Sequence, residues 1–153
     1  MIFGWRDYKP NTMEYIEDWL DEGAVKNTGL DVGFREFYEY WAKEDGYVVG
    51  ANFWCKVVFE KNEPVAVIAF GLYEGSMTIM EIVVAPEKRR MGLGSKILKE
   101  LMECEEILGF SIQKAEAVIF PDNTVSQRAF EKAGFFHHHT YDDGSAMLYA
   151  YEK

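Results

Sequence analysis

The residues best suited to chemistry lie in two stretches, from Glu81 to Ser95 and from Glu116 to Lys132. In the first, the apolar run Ile82-Val83-Val84-Ala85 stops at Pro86. Bases follow, and then Met91-Gly92-Leu93-Gly94-Ser95 opens a helical pattern. Glycines at 92 and 94 let backbone N–H groups approach an anion with no Cβ in the way. A helix start adds unpaired N–H donors and the positive end of its dipole. Lys88, Arg89, Arg90 and Lys96 form the densest basic cluster in a chain of net charge −10. Two readings stay open from these residues alone: a cradle for one specific phosphate or pyrophosphate, or a strand-to-helix turn with surface arginines. The Gly-Lys-Ser/Thr of a Walker loop is missing, and the three-glycine dinucleotide fingerprint is incomplete.

Glu81 sits on the strand that enters this turn, where a carboxylate could act as a general base or simply face solvent. Glu116, on a following strand, is a second candidate ranked below it. Asn123 precedes a helix and, taken alone, is suited to capping it; the Glu131-Lys132-x-Gly134-Phe135 pattern beyond it makes contact with a ligand equally open. His137-His138-His139 could offer a paired-imidazole metal site, but no acid or cysteine completes one. Simple alternation puts His138 on the face opposite its neighbours. Cys55 and Cys104 give neither a disulfide framework nor metal-ligand spacing, and both read as core or surface thiols.

These residues need elements to hold them. A first helix is expected from Asn11, with Asn11 and Glu14 as a capping-box-like start and Gly23 as its end. A second runs from Asp31 to Lys43, with Phe34, Phe37, Tyr38 and Trp41 on one stripe. That stripe either packs the core or lines a pocket. Strands are expected at 53–60, 65–73 and 77–84, forming an antiparallel meander. A helix from Gly92, a strand at 114–120 and a helix at 124–133 come next, then a hairpin of 135–141 and 145–151. The passage from Met77 to Phe120 is a β–α–β unit, which puts two strands parallel through a right-handed crossover. The fold class is therefore mixed α/β.

The chain has 153 residues, 48% of them apolar, with 11 Phe, 9 Tyr and 4 Trp. One domain over residues 1–153 is expected. No apolar run approaches the ~18–20 residues needed to cross a bilayer, and the start lacks a secretory signal pattern. A soluble cytoplasmic protein with no membrane partner is the expectation. Residues 1–50 carry eleven acids against five bases. That balance argues against nucleic acid as a partner.

Arg89-Arg90-Met91-Gly92-Leu93-Gly94 resembles the Arg/Gln-x-x-Gly-x-Gly/Ala motif of the GCN5-related N-acetyltransferase (GNAT) superfamily. Asn123-Thr124-Val125-Ser126-Gln127-Arg128-Ala129-Phe130-Glu131-Lys132-Ala133-Gly134-Phe135 resembles that family's Asn…Tyr-Glu-Lys-x-Gly-Phe segment. The likeness is close over residues 50–151 and general over 1–46. It implies a mostly antiparallel central sheet whose parallel fourth and fifth strands splay apart, with acetyl-CoA in the gap as acyl donor and an amine as acceptor. It also allows a homodimer.

Carried over residue by residue, the resemblance implies that Ile82, Val83 and Val84 meet the pantetheine arm and that Val83 N–H polarises the thioester oxygen. It gives the pyrophosphate to Arg89, Arg90, Met91, Gly92, Leu93, Gly94 and Ser95. Asn123 touches the arm near the reacting end, Phe130 borders the site, and Lys132 reaches the outer phosphates. Catalysis falls to Glu81 and Asn123, by direct attack of the amine in a ternary complex. The departure is Phe130: many members have a tyrosine there that protonates the leaving thiolate, so water, Ser126, Tyr141 or no acid serves that step here. The alternative is a non-catalytic acyl-CoA-binding module that kept only the groove.

Overall fold

A computed structural model describes every residue from 1 to 153. Its elements are β1 (Gly4–Asp7), a 3₁₀ helix (Glu14–Trp19), α1 (Glu22–Thr28), α2 (Phe34–Lys43), β2 (Phe53–Glu60), β3 (Glu63–Tyr73), β4 (Ser76–Val84), α3 (Leu93–Glu103), β5 (Lys114–Ile119), α4 (Thr124–Lys132), β6 (Phe136–Thr140) and β7 (Met147–Glu152). The strands form one seven-stranded sheet in the order β1-β2-β3-β4-β5-β7-β6. Every neighbouring pair is antiparallel except β4 and β5. The meander, the β–α–β unit and the closing hairpin therefore stand where the sequence patterns put them. No helix is long and apolar enough to cross a membrane.

The sheet is covered on both faces. Leu93, Ile97, Leu98 and Leu101 of α3, with Phe130 of α4, pack on one side. Ile16, Trp19 and Phe34 pack on the other, against Phe53, Val57 and Val67. The strand between these layers, β3, is fully buried from Val65 to Phe70, which is why it reads as a continuous apolar run rather than an alternating one.

The aromatic stripe belongs to the second core. Tyr8 meets Phe34 edge-on at 4.9 Å, Tyr38 meets Phe53 at 6.3 Å, and Trp41 meets Tyr47 at 5.5 Å. Such pairs contribute about 0.5–1.5 kcal/mol each beyond their buried area. This stripe is packing.

The first fifty residues differ most from expectation. Gly23 does not end a helix but lies inside α1. Asp21 caps that helix by accepting from Ala24 N at 2.9 Å, and Gly29, at φ 72°, closes it. Asn11 caps nothing: its Oδ1 accepts from Arg35 Nη2 at 3.2 Å, and Met13 stands at the start of the 3₁₀ helix without a side-chain capping bond. β1 carried no strand signal of its own. It is held by pairing with β2 and by Glu100 of α3, a buried carboxylate. That carboxylate accepts from Phe3 N at 3.1 Å and Trp5 Nε1 at 2.8 Å, and also from Ile2 N.

Two irregularities in β4 create the site. Ala69 pairs with Glu81 but Phe70 pairs with Ile79, so Met80 is an extra residue bulged out of the ladder. A bulge exchanges the faces of everything beyond it. Met77 and Ile79 face the α3 core, and past the bulge that place passes to Ile82 and Val84. Val83 and Ala85 face the α2 core, and Glu81, two residues before Val83, shares that face. The second irregularity is that β4 pairs with β5 only at Met77↔Ala115 and Thr78↔Glu116. Beyond Thr78 the two strands part.

Candidate active site

The gap between β4 and β5 is a cleft of about 590 Å³. Its floor is β4 from Ile79 to Val84, one side is β5 with the start of α4, and one end is the turn into α3. In an antiparallel ladder, successive residues point their N–H and C=O to opposite edges. Ala85 N donates to Val65 O at 2.9 Å, so Ala85 and Val83 are directed at β3. Ile82 and Val84 are directed into the gap, and Val84 O there accepts from Arg89 Nε at 3.1 Å. This corrects one expectation: Val83 N–H is used inside the sheet, and the donors facing the gap belong to Ile82 and Val84.

Gly92 stands ahead of α3 at φ 73°, a conformation that costs an L residue roughly 1–2 kcal/mol. The first intrahelical bond runs from Lys96 N to Gly92 O. The N–H groups of Leu93, Gly94 and Ser95 are thereby left without helical partners at the cleft's end. Ser95 Oγ donates to Gly92 O at 3.0 Å and holds the turn. At Gly94 an added Cβ would lie in ordinary contact, 3.6 Å from the Cβ of Ala129, so α4 leaves room there for a small side chain. Arg90 is the unusual residue of the loop, a side-chain-bearing position at φ 66°.

Charge is distributed against the trend of the whole molecule. Lys88, Arg89, Arg90, Arg128 and Lys132 border the cleft, with Glu81 as its only carboxylate. Arg128 was not singled out from the sequence, although its spacing of four from Lys132 puts both on one side of α4. Arg89 is committed elsewhere: beyond Val84 O, its Nη1 donates to Asp21 Oδ2 at 2.6 Å and its Nη2 to Trp19 O at 2.9 Å. Met91 is exposed and does not border the cleft.

Glu81 borders the cleft, half-buried, with no hydrogen bond from any neighbour. Burial alone pushes its carboxyl up to about 8 from an ordinary value of 4.5. Glu116 pairs with Thr78 at the closed end of the gap and does not reach the cleft. Asn123 is seen in one of the two roles expected for it, the cap. Its Oδ1 caps α4, accepting from Ser126 N at 3.2 Å, and its Nδ2 remains free at the cleft wall. Phe130 is buried, edge-on to Phe135 at 4.9 Å, and borders the cleft as Ser126 does. Tyr141 does not.

The fourth wall is α1, through Gly23, Ala24, Asn27 and Thr28. No periodicity announced these residues, because α1 buries no side chain. Neither cysteine borders the cleft, and burial pushes the Cys55 thiol well above its usual range. A thiol nucleophile is thus unavailable here. On β6, a second bulge between His137 and His139 breaks the expected alternation. His138 and His139 touch through Nδ1 atoms 2.7 Å apart, and no group of three or more metal-binding side chains forms anywhere in the chain.

An open strand edge, an unpaired N–H cradle and a cationic rim define a site for a long anionic ligand lying between two parted parallel strands. The Acetyltransferase (GNAT) family matches residues 11–135, and the chain belongs to that family. Among solved structures, it is similar to the aminoglycoside acetyltransferase AAC(6')-Ib in complex with ribostamycin and coenzyme A. The two share 19% identity and a TM-score of 0.77, covering 100% of this chain and 94% of that one. It is also similar to a putative phosphinothricin N-acetyltransferase (20% identity, TM-score 0.69, 98% of each chain). A third likeness is to a spermidine N-acetyltransferase chimera from Vibrio cholerae and hSSAT (14% identity, TM-score 0.73, 99% and 96%). At these identities the likeness is one of fold. No curated protein matches in sequence.

Proposed function

We propose that residues 1–153 form one catalytic domain that transfers an acetyl group from acetyl-CoA to a primary amine of a small molecule or peptide. Family membership makes the chain an acetyl-CoA-dependent N-acetyltransferase, and the residues of the cleft fit that donor. The N–H groups of Leu93, Gly94 and Ser95 meet the pyrophosphate, and Arg90 and Lys88 add charge. Lys132 and Arg128 serve the outer phosphates. Ile82 and Val84 offer backbone donors and acceptors to the amide-bearing arm, with the free Nδ2 of Asn123 across from them.

The donor supplies an activated thioester; the chain supplies position, polarisation and a base. Fixing two substrates with their reacting atoms close removes much of the entropic barrier. Ile82, the gap-facing residue nearest the bulge, directs its N–H at the thioester oxygen. Glu81 takes the proton from the incoming ammonium. Its elevated proton affinity brings it close to the working pH, where a general base is most effective. The observation that carries this reading is the juxtaposition of Glu81 with the unpaired edge of β4, produced by the bulge at Met80. Phe130 donates no proton, and a thiolate leaves without one.

The test is release of free coenzyme A from acetyl-CoA across a panel of primary amines, with titration calorimetry for the donor alone. Coenzyme A should bind, while ATP and NAD should not. Binding without turnover on any amine would leave a non-catalytic acyl-CoA module in its place. Sedimentation of the coenzyme-bound chain tests the homodimer.

A further inference from the structure

The α1 wall of the cleft has almost nothing of its own to hold it. Seven residues are too few to be stable through propensity, and none of them is buried. Its fixed point is Asp21, whose two carboxylate oxygens do different things. Oδ1 accepts from Ala24 N at 2.9 Å and starts the helix. Oδ2 accepts from Arg89 Nη1 at 2.6 Å. Together, these bonds hold the Asp21 carboxyl below its ordinary range, the backbone bond being the larger cause.

Arg89 makes two further bonds with its remaining nitrogens, to Trp19 O at 2.9 Å and Val84 O at 3.1 Å. One guanidinium thus joins the end of β4, the end of the 3₁₀ helix and the cap of α1. Three acceptors on three segments fix the orientation of the planar group, which an ammonium could not reproduce. Arg89 also immediately precedes Arg90 and Gly92, the two left-handed positions of the anion loop.

We propose that Arg89 and Asp21 are positioning residues that couple occupation of the coenzyme loop to the placement of α1, the fourth wall of the cleft. The inference rests on the reading of the cleft as a coenzyme site. An anion held by the N–H groups after Arg90 restricts the backbone on which Arg89 is mounted. A restricted Arg89 presents its three donors in a constant place, and Asp21 with α1 follows. Because such coupling is reciprocal, an ordered α1 favours the occupied loop as much as the occupied loop favours an ordered α1.

The experiment is backbone amide hydrogen exchange over residues 22–28, with coenzyme A as probe. It uses the full chain and the variants Asp21→Asn, Asp21→Ala and Asp21→Glu, alongside calorimetric titration of each. Asn retains the helix cap and removes the ionic partner; Glu retains the charge. The expected result is coenzyme affinity within about three-fold in all four proteins, as a partly exposed pair outside the anion loop implies. Coenzyme should slow exchange in 22–28 roughly ten-fold in the unaltered chain. Asp21→Asn should reduce that slowing to roughly two-fold, Asp21→Ala should abolish it, and Asp21→Glu should restore part of it.

Roughly ten-fold protection of 22–28 retained in both Asp21→Asn and Asp21→Ala would mean that the ligand contacts α1 directly, and would overturn the proposal. So would coenzyme binding that leaves exchange in 22–28 of the unaltered chain unchanged. Absence of any coenzyme binding would overturn the reading of the cleft and the coupling together.

Discussion

Replacing Glu81 with glutamine should stabilise the protein at alkaline pH and leave it almost unchanged in acid. In the fold, Glu81 keeps its proton up to about pH 8, whereas in the unfolded chain it ionises near 4.5. Between those values unfolding releases a proton. Stability therefore falls as pH rises from about 4.5 to about 8, and the contribution is constant above that window. At about 1.4 kcal/mol for each tenfold change in proton affinity, the penalty at high pH is bounded by roughly 5 kcal/mol. The cleft is open to water, so about half of that, roughly 2–3 kcal/mol, is the expected effect after screening.

Glutamine has the same shape and no proton to lose. For a chain of this length the difference corresponds to a melting temperature higher by roughly 4–12 °C at about pH 9, shrinking to nothing at about pH 4. Urea unfolding of both proteins at these two pH values, without coenzyme, measures it directly. The same substitution should slow acetyl transfer roughly 10²–10⁴-fold and remove the rise in rate with pH that a base of this proton affinity produces. A stability difference between the parent chain and the Glu81→Gln variant that is identical at the two pH values would refute the reasoning, because Glu81 would then be an ordinary solvated carboxylate.

Three other outcomes follow from particular contacts. Arg90→Gly should raise stability by about 0.5–1 kcal/mol by relieving a left-handed side-chain residue. It should also weaken coenzyme A binding several-fold and flatten its salt dependence, as calorimetry at two salt concentrations will show. Phe130→Tyr places a phenol at the cleft wall and should raise turnover roughly two- to ten-fold if departure of the thiolate limits the rate, with little change in coenzyme affinity. Glu100→Ala leaves the N–H groups of Ile2 and Phe3 and the indole of Trp5 without their acceptor. It should cost about 2–3 kcal/mol, seen as a melting temperature lower by roughly 4–12 °C with a shift in tryptophan fluorescence.

The turn into α3 was legible because its signals are local. Gly92, Gly94 and the bases before them are contiguous, and a glycine at positive φ ahead of an amphipathic helix is a short-range event. The strands were legible for the same reason, since period-two and continuous apolar patterns each occupy fewer than a dozen residues of chain. The α1 wall left no such trace. α1 buries nothing and so shows no periodicity, and the stripe that did show one, Phe34 to Trp41, proved to be core.

What the sequence determined by itself is therefore the family, the order of elements from β2 onward and the basic, glycine-bearing turn into α3. Tertiary structure alone decided which groups in that order can act. An extra residue at Met80 turns Glu81 to the face of the sheet that α2 covers, and a ladder that stops at Thr78 frees the edge of β4. Alternation toward β3 assigns the free N–H groups to Ile82 and Val84 rather than Val83. Arg89, which by sequence is a phosphate ligand, is drawn away by Asp21 and two carbonyls from segments distant in the chain. Register, strand divergence and the competition of distant acceptors for one guanidinium are properties of packed chains, and no local pattern of residue types encodes them.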